Sequence, residues 1–410
     1  MKPRGDYWTQ LGTLAIGALM LVLLWGLWRM LANTSGEDGY PAEGVRAVDA
    51  TQPSAGYPGP IASPFPSTAT PLPDPGIRLG NIERLSGKAG GLPLMPADGR
   101  PHFIYPATDS NTLVGVVVTG TKPFGYLAAV DLATGKSQRI ADVWSPGNPQ
   151  VSGQYVVWTD QGRLYVYDQV SAKTEQLTIG DAARDLSLSG SIVVWENISQ
   201  GQTLGIWGYD LTAGKDFPVV KTTATTKARK PLISGQWVLY QSAGYKDGET
   251  RIGLNVMNMD TGEGLELGEL PYLKYYVPRL YAIDVPWVAW SAYEWGVNPT
   301  LYLYNVDTRT FYTVAVPGCG LDELHQGNIN RIVVSGVIVL FRGCYQSAGM
   351  GYDIERGKFF SVLITRAESQ EAAFVDWAFA RGRLVWSMTV GPRWQEQTQV
   401  YAAPIIRDRP

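Results

Sequence analysis

The chain is short of the residues that most catalytic centres need. Of its 410 residues, only two are histidine and two are cysteine. Two cysteines cannot build a disulfide framework, and neither His102 nor His325 belongs to a metal-ligand pattern. No Gly-x-Ser-x-Gly elbow, His-Glu-x-x-His pair or phosphate loop occurs. Charged residues make up 17% and the formal net charge is −3. No basic cluster stands out, so nucleic acid is not an expected partner. From residue 80 onward no apolar stripe of helical period is long enough for a helix. The sequence therefore predicts no catalytic residue, no metal and no cofactor.

What is present is a repeated phrase. Residues 151–178 read VSGQYVVWTDQGRLYVYDQVSAKTEQLT: a Ser-Gly turn, an apolar run ending in Trp158, a polar loop, an alternating run, an Asp turn and a short last strand. The phrase returns after Ser189-Gly190, Ser234-Gly235, Asp284-Val285, Ser335-Gly336 and Arg381-Gly382, and once before, without its Ser-Gly, over 113–136. The period is roughly 45 residues, the range of propeller blades with four short strands. Val, Ile, Trp and Tyr fill the strands and Gly, Asp, Ser and Thr the turns. One such unit cannot bury both faces alone, so copies must stack and the ring must close. The expected fold is an all-β β-propeller of seven blades, with six or eight open as alternatives. The seventh copy, 373–403, has no convincing fourth strand. Residues 81–86 resemble that strand and are expected to close the ring beside the C-terminal strands, which removes two open sheet edges.

The pattern of Ser-Gly, VVW, YVYD, Thr-Gly and QLT resembles the TolB-like propeller repeats of bacterial envelope proteins and is similar to repeats in archaeal and bacterial surface propellers. The resemblance covers about residues 80–405 and implies a fold rather than a function. Plain Ser-Gly replaces the Ser-Pro-Asp-Gly common in that family, and nothing at the N-terminus resembles TolB's separate α/β domain. A role as assembly partner of a secretion machine follows from the resemblance alone.

Ahead of the repeats, residues 11–28 form an almost uncharged apolar run that meets the requirement for a membrane-spanning helix, bounded by Trp8, Trp25 and Trp28. The expected order is a cytoplasmic segment 1–10, a lipid-embedded anchor 11–31, a stalk 32–76 and a propeller 77–410 outside the cytoplasm. Lys2 and Arg4 on the near side and Glu37, Asp38 and Glu43 beyond set the orientation. A cleaved signal peptide is the rival reading. Eight prolines between Pro53 and Pro75 make the stalk extended, about 3 Å per residue.

In such a ring the Ser-Gly and Asp-x-x-Thr-Gly turns share one rim. The loops between second and third strands lie on the other, where 197–203, 242–251, 292–299, 343–350 and 390–397 look long and varied. Variable loops on a rigid frame carry recognition, so Tyr245, Tyr293, Glu294, Trp295, Arg342, Arg393 and Trp394 are the candidate ligand-binding residues, the bland alternative being a tolerant surface. Cys319 and Cys344 fall on that face in adjacent blades. A disulfide there would close roughly 25 residues and stabilise by about 3 kcal/mol; two free thiols are the alternative. Asp160 and Glu196 could ring the channel mouth. The sequons at Asn33 and Asn197 are candidate glycosylation sites. The function expected is a binding or scaffolding module for an envelope protein or a surface glycan. The alternative is a glycan lyase or hydrolase working at the channel mouth.

Overall fold

The computed structural model describes residues 76–93, 102–120, 122–177, 180–223, 226–246, 249–270, 280–292, 300–316, 330–342, 349–362, 372–390 and 397–408. The expected cytoplasmic segment, the anchor and the stalk up to residue 75 lie outside the described residues. No helix among the described residues is long and apolar enough to cross a membrane.

The described chain is a seven-bladed β-propeller, each blade an antiparallel sheet whose strands run outward from the axis in chain order, save that the outer strand of blade 7 comes from residues 77–84. The innermost strands are Phe103–Thr108, Gln150–Ser152, Ala182–Ser189, Thr226–Ser234, Tyr281–Asp284, Asn330–Ser335 and Ala372–Ala380, in blades 1 to 7. Each touches the next, and that of blade 7 touches that of blade 1, so the ring is closed.

The apolar runs of the second strands explain the stacking. Every blade of the closed ring has two covered faces, so successive residues serve different cores. Val156 and Trp158 pack between blades 1 and 2, while Val157 packs between blades 2 and 3. Val193 and Trp195 face blade 2, and Val194 faces blade 4. The core is thus seven slabs, one per interface, rather than a single nucleus. The aromatic that ends the run stacks on its cross-strand partner: Trp158 on Tyr165 at 5.5 Å, Trp290 on Tyr302 at 5.4 Å, Trp386 on Tyr401 at 5.5 Å. Such pairs add about 0.5–1.5 kcal/mol to their burial. Blade 1 lacks the aromatic. Gly115 stands there, a Cβ on it would lie 2.3 Å from the Phe103 ring, and Phe103 from the innermost strand fills the space.

Ring closure matches the expectation, with an earlier start. Ile77–Leu79 pairs with 405–407, and Glu83–Arg84 pairs with Tyr401 and Ala402, giving blade 7 its outer strand. Gly80 joins the two pieces where a side chain would press on Pro404 and Ile406, at 2.7 and 2.9 Å. Asp353, fully buried at the rim of blade 6, receives Nε and Nη2 of Arg407 at 2.9 and 3.0 Å, so an ion pair locks the closing blade to its neighbour.

The Ser-Gly turns have a role beyond turning. The Oγ of Ser152 accepts the N–H of Gly190, Ser189 accepts Gly235 and Ser234 accepts Val285. Asp109 accepts Gly153 and Asp284 accepts Gly336 in the same way. These bonds link blades 1 to 6 in series along one rim. The Asp turns cap themselves as expected at Asp131, Asp168 and Asp210. In blades 4 and 5 the capping residue is Asn258 or Asn305, two positions before the Asp of the motif.

Candidate functional site

The opposite rim carries the hairpins between second and third strands and the connections between blades. Two of the loops predicted there are strands instead. Residues 197–203 form a tight hairpin: the strands run to Ser199 and from Gln202, and Gln200 and Gly201 both have positive φ, 50° and 76°. That pair fits the type I′ turn that matches strand twist. Asn197 is 5% exposed, so its sequon is inside the blade. Residues 242–251 are a ladder: Trp237–Lys246 and Glu249–Asn258 are ten residues each and pair to their tips. They form a long two-stranded ribbon.

Tyr245 sits near the tip of that ribbon, opposite Thr250. Arg342 is the last residue of Ile338–Arg342, opposite Gly349 and Asn330. Tyr293, Glu294, Trp295, Arg393, Trp394, Cys319, Cys344 and His325 lie outside the described residues. Two aromatics that the sequence did not single out are exposed on this rim of blade 1: Trp144 at 53% and Phe124 at 40%.

The carboxylates expected at the channel mouth hold the frame. Asp160 accepts the N–H groups of Trp144 and Ser145 at 3.0 and 2.6 Å, pinning the connection between blades 1 and 2. Asp181 pins the blade 3 hairpin, taking the Ser199 hydroxyl at 2.5 Å and the Gln200 N–H at 3.1 Å. The Ser199 hydroxyl, followed by that N–H, holds the Asp181 carboxyl below the usual carboxylate range. Glu196 is buried, receives the Thr203 hydroxyl at 2.7 Å, and lies 3.9 Å from Nε of Arg229 in blade 4. In the strand register Glu196 matches Thr159, not Asp160, so the two acids do not form a ring. His102 is buried as well. Its Nδ1 lies 2.9 Å from the Val118 carbonyl, and its N–H donates to Thr398 of blade 7.

The inner wall carries a feature that recurs from blade to blade. In blades 1, 3, 4, 6 and 7 the innermost strand has a β-bulge against the second strand. In four of them the bulge holds a non-glycine residue at positive φ: Tyr105 at 56°, Asp185 at 47°, Lys230 at 50° and Arg331 at 51°. Such a conformation costs of order 1–3 kcal/mol each, and bulges re-aim side chains out of the sheet. Arg184 and Arg229 directly precede two of these residues. Tyr105 and Arg184 are exposed and Asp185, Arg229, Lys230 and Arg331 half-buried. Arg331 forms an ion pair with Asp376 of blade 7. The signal for this set was in plain sight: charges inside innermost strands that otherwise read as apolar, AARDLSLS, TKARKPLIS and NRIVVS.

No family model matches the chain, and no curated protein matches it in sequence. Solved structures do resemble it. They include a β-propeller domain. The propeller domain of the Trilobed protease from Pyrococcus furiosus matches with a TM-score of 0.54 at 8% identity, over 75% of this chain and 99% of that one. Oligogalacturonate lyase from Vibrio parahaemolyticus matches with a TM-score of 0.53 at 10% identity, over 80% and 97%. TolB from Acinetobacter baumannii matches with a TM-score of 0.39 at 15% identity, over 60% of this chain and 65% of that one. The chain thus spans about two thirds of the length of TolB. At these identities the likeness is one of fold.

Proposed function

We propose that this chain is a membrane-anchored extracytoplasmic propeller that binds or scaffolds an envelope protein or a surface glycan. The observation that carries the reading is the asymmetry of the two rims. One is tied blade to blade by short turns and side-chain-to-backbone bonds. The other presents hairpins of unequal reach, from the two-residue turn after Asp160 to the ribbon of blade 4. A rigid ring displaying unequal hairpins is a frame for multipoint recognition. The apolar run 11–28, its charged flanks and the proline-rich stalk support an anchor in the lipid bilayer with the ring held off the membrane.

The test is crosslinking in intact cells, followed by affinity capture of the full chain and of a variant with the ribbon shortened by removing 244–251. A partner captured by the first and lost by the second supports the reading; equal recovery with both sinks it. Protease added outside intact cells should digest the propeller, and protection would overturn the topology.

The second reading is a glycan lyase or hydrolase with its site at the channel mouth. It draws on the propeller shared over 97% of the length of oligogalacturonate lyases. Tyr105, Asp185 and Lys230 are titratable groups on the wall that such chemistry would use. Incubation with oligogalacturonate, monitored for the unsaturated product of elimination and for new reducing ends, decides it. No turnover by the full chain removes this reading.

A further inference from the structure

We infer that the outer edge of blade 5, the strand Thr310–Ala315, is a self-association surface, to which a second copy of this chain adds its own Thr310–Ala315 in antiparallel. The inference stands on the edge itself and does not depend on the binding role proposed above.

Each blade ends in an edge strand, and every second residue of an edge points its N–H and C=O away from the sheet. Charged side chains and proline are the usual guards against pairing there. Six of the seven outer strands carry them: Asp142, Glu175, Pro218, Glu266, Lys358 and Arg84 serve blades 1, 2, 3, 4, 6 and 7 in that order. The outer strand of blade 5 reads TFYTVA, with neither a charge nor a proline. It ends its sheet, with no described strand on its far side.

A second guard is missing as well. In blades 1, 3 and 4 the pairing of third and fourth strands is broken by a register shift, which twists an edge away from a partner. In blade 5 the ladder from Thr300 to Ala315 runs without one. Aromatic rings hold the strand in place: Phe311 lies 4.5 Å from Tyr304 and 6.3 Å from Trp290, and Tyr312 lies 5.7 Å from Trp287, centroid to centroid. The edge is therefore regular, already ordered and unguarded, so little ordering entropy opposes its pairing.

The sequence of the strand suits a copy of itself. A two-fold axis at Thr313 sets Thr313 opposite Thr313, Tyr312 opposite Val314 and Phe311 opposite Ala315. An axis at Tyr312 sets Phe311 opposite Thr313 and Thr310 opposite Val314. Aromatic, β-branched and Thr–Thr pairs of this kind stabilise cross-strand contact, and neither register sets charge against charge. The charge just before the strand, Arg309, is engaged by Glu263 of blade 4, with Nη2 at 2.8 Å from Oε1. Such a contact is isologous and closes at two copies. Five or six residue pairs make a small interface, so the dimer is expected to depend on concentration.

The test is sedimentation velocity of the full chain in a non-ionic detergent at rising concentration. The variant is Thr313→Lys, which brings like charges together across the axis. The control is Thr174→Lys in the outer strand of blade 2. Unchanged melting temperatures establish that both variants fold. The expected result is a two-chain mass for the unaltered chain, with a dissociation constant raised at least tenfold by Thr313→Lys and less than twofold by Thr174→Lys. An unaltered chain that stays monomeric at every concentration overturns the inference, as does a dimer that survives Thr313→Lys. Should Thr313→Lys fail to fold, p-benzoylphenylalanine placed at the exposed position 315 decides. Irradiation should join two copies there and not when the probe is at position 174. No joined pair, equal yield at both positions, or a crosslink in cells to a different protein instead of a second copy overturns the pairing.

Discussion

The Oγ of Ser152 in blade 2 accepts the backbone N–H of Gly190 in blade 3 at 2.9 Å. The bond gives the repeated Ser-Gly pair a second purpose. Serine ends one innermost strand and receives the next blade's turn, while glycine supplies the turn and the donor. The same relation recurs at Ser189 and Ser234, and at Asp109 and Asp284 with a carboxylate in place of the hydroxyl.

Ser152→Ala and Ser189→Ala are each expected to lower stability by about 0.5–1.5 kcal/mol, the net value of one intramolecular hydrogen bond. Urea unfolding should show the midpoint falling with an unchanged slope. A slope that drops would instead mean that the ring opens into separately melting parts.

Arg407→Ala should be far more damaging. It leaves Asp353 fully buried without its bidentate partner. Removing one member of a fully buried pair costs about 3–5 kcal/mol; Arg407 is partly exposed and Arg356 stays 3.7 Å from Asp353, so the loss is expected below that range. Replacing both residues together, Asp353→Leu with Arg407→Met, should recover most of the loss. If the double variant melts no higher than the single one, the pair is not what holds the closing blade.

Lys230→Gly and Asp185→Gly are expected to stabilise the ring by up to about 1 kcal/mol each, because glycine relieves the left-handed backbone. Thermal melts check the sign. A lower melting temperature in both would show that contacts of these side chains outweigh the relief of the backbone.

Acid sensitivity should arise in part at the Asp turns. The Thr134 N–H holds the Asp131 carboxyl below its usual range, the Val170 N–H does so for Asp168, and the Thr212 hydroxyl does so for Asp210. A depressed folded-state value stabilises the fold above the unfolded carboxylate value of about 3.9 and is lost as pH falls through the lower folded value. Stability should therefore change little from these groups above about pH 5 and decline below about pH 4. Asp210→Asn keeps the cap, as Asn258 and Asn305 do, and should flatten the acid limb. A variant with an unaltered acid limb would clear Asp210 of the effect.

Much of the ring was legible because its determinants are local. Both blade faces are covered, so the second strands read as unbroken apolar runs, and Val156-Val157-Trp158 divides between two cores by strand alternation alone. Asp131, Asp168 and Asp210 cap turns within three residues of themselves. The missing fourth strand of the last copy, set against the stray strand near residue 83, already implied closure of the ring. The loops were less legible. Gln200-Gly201 looked like part of a long loop because polar residues flank it, yet the same two residues suit a tight hairpin, and the ladder beside them decides between the two.

The sequence by itself determined that the chain repeats, that each repeat is a small two-faced sheet, and that the sheets must stack and close. Period, alternation and turn chemistry are written over spans of a few residues, and burial demands the rest. Only the tertiary structure decided which side chains meet around the axis. His102 finds Thr398 across 296 positions, Arg407 finds Asp353 across 54, and Arg229 meets Glu196 from the next blade. No local pattern encodes such pairs, because they depend on how strands of different blades come into register once the ring has closed. The bulges at Asp185, Lys230 and Arg331 are of the same kind: a charged residue inside a strand is visible in the sequence, but the break in register and the left-handed backbone there are set by the fold.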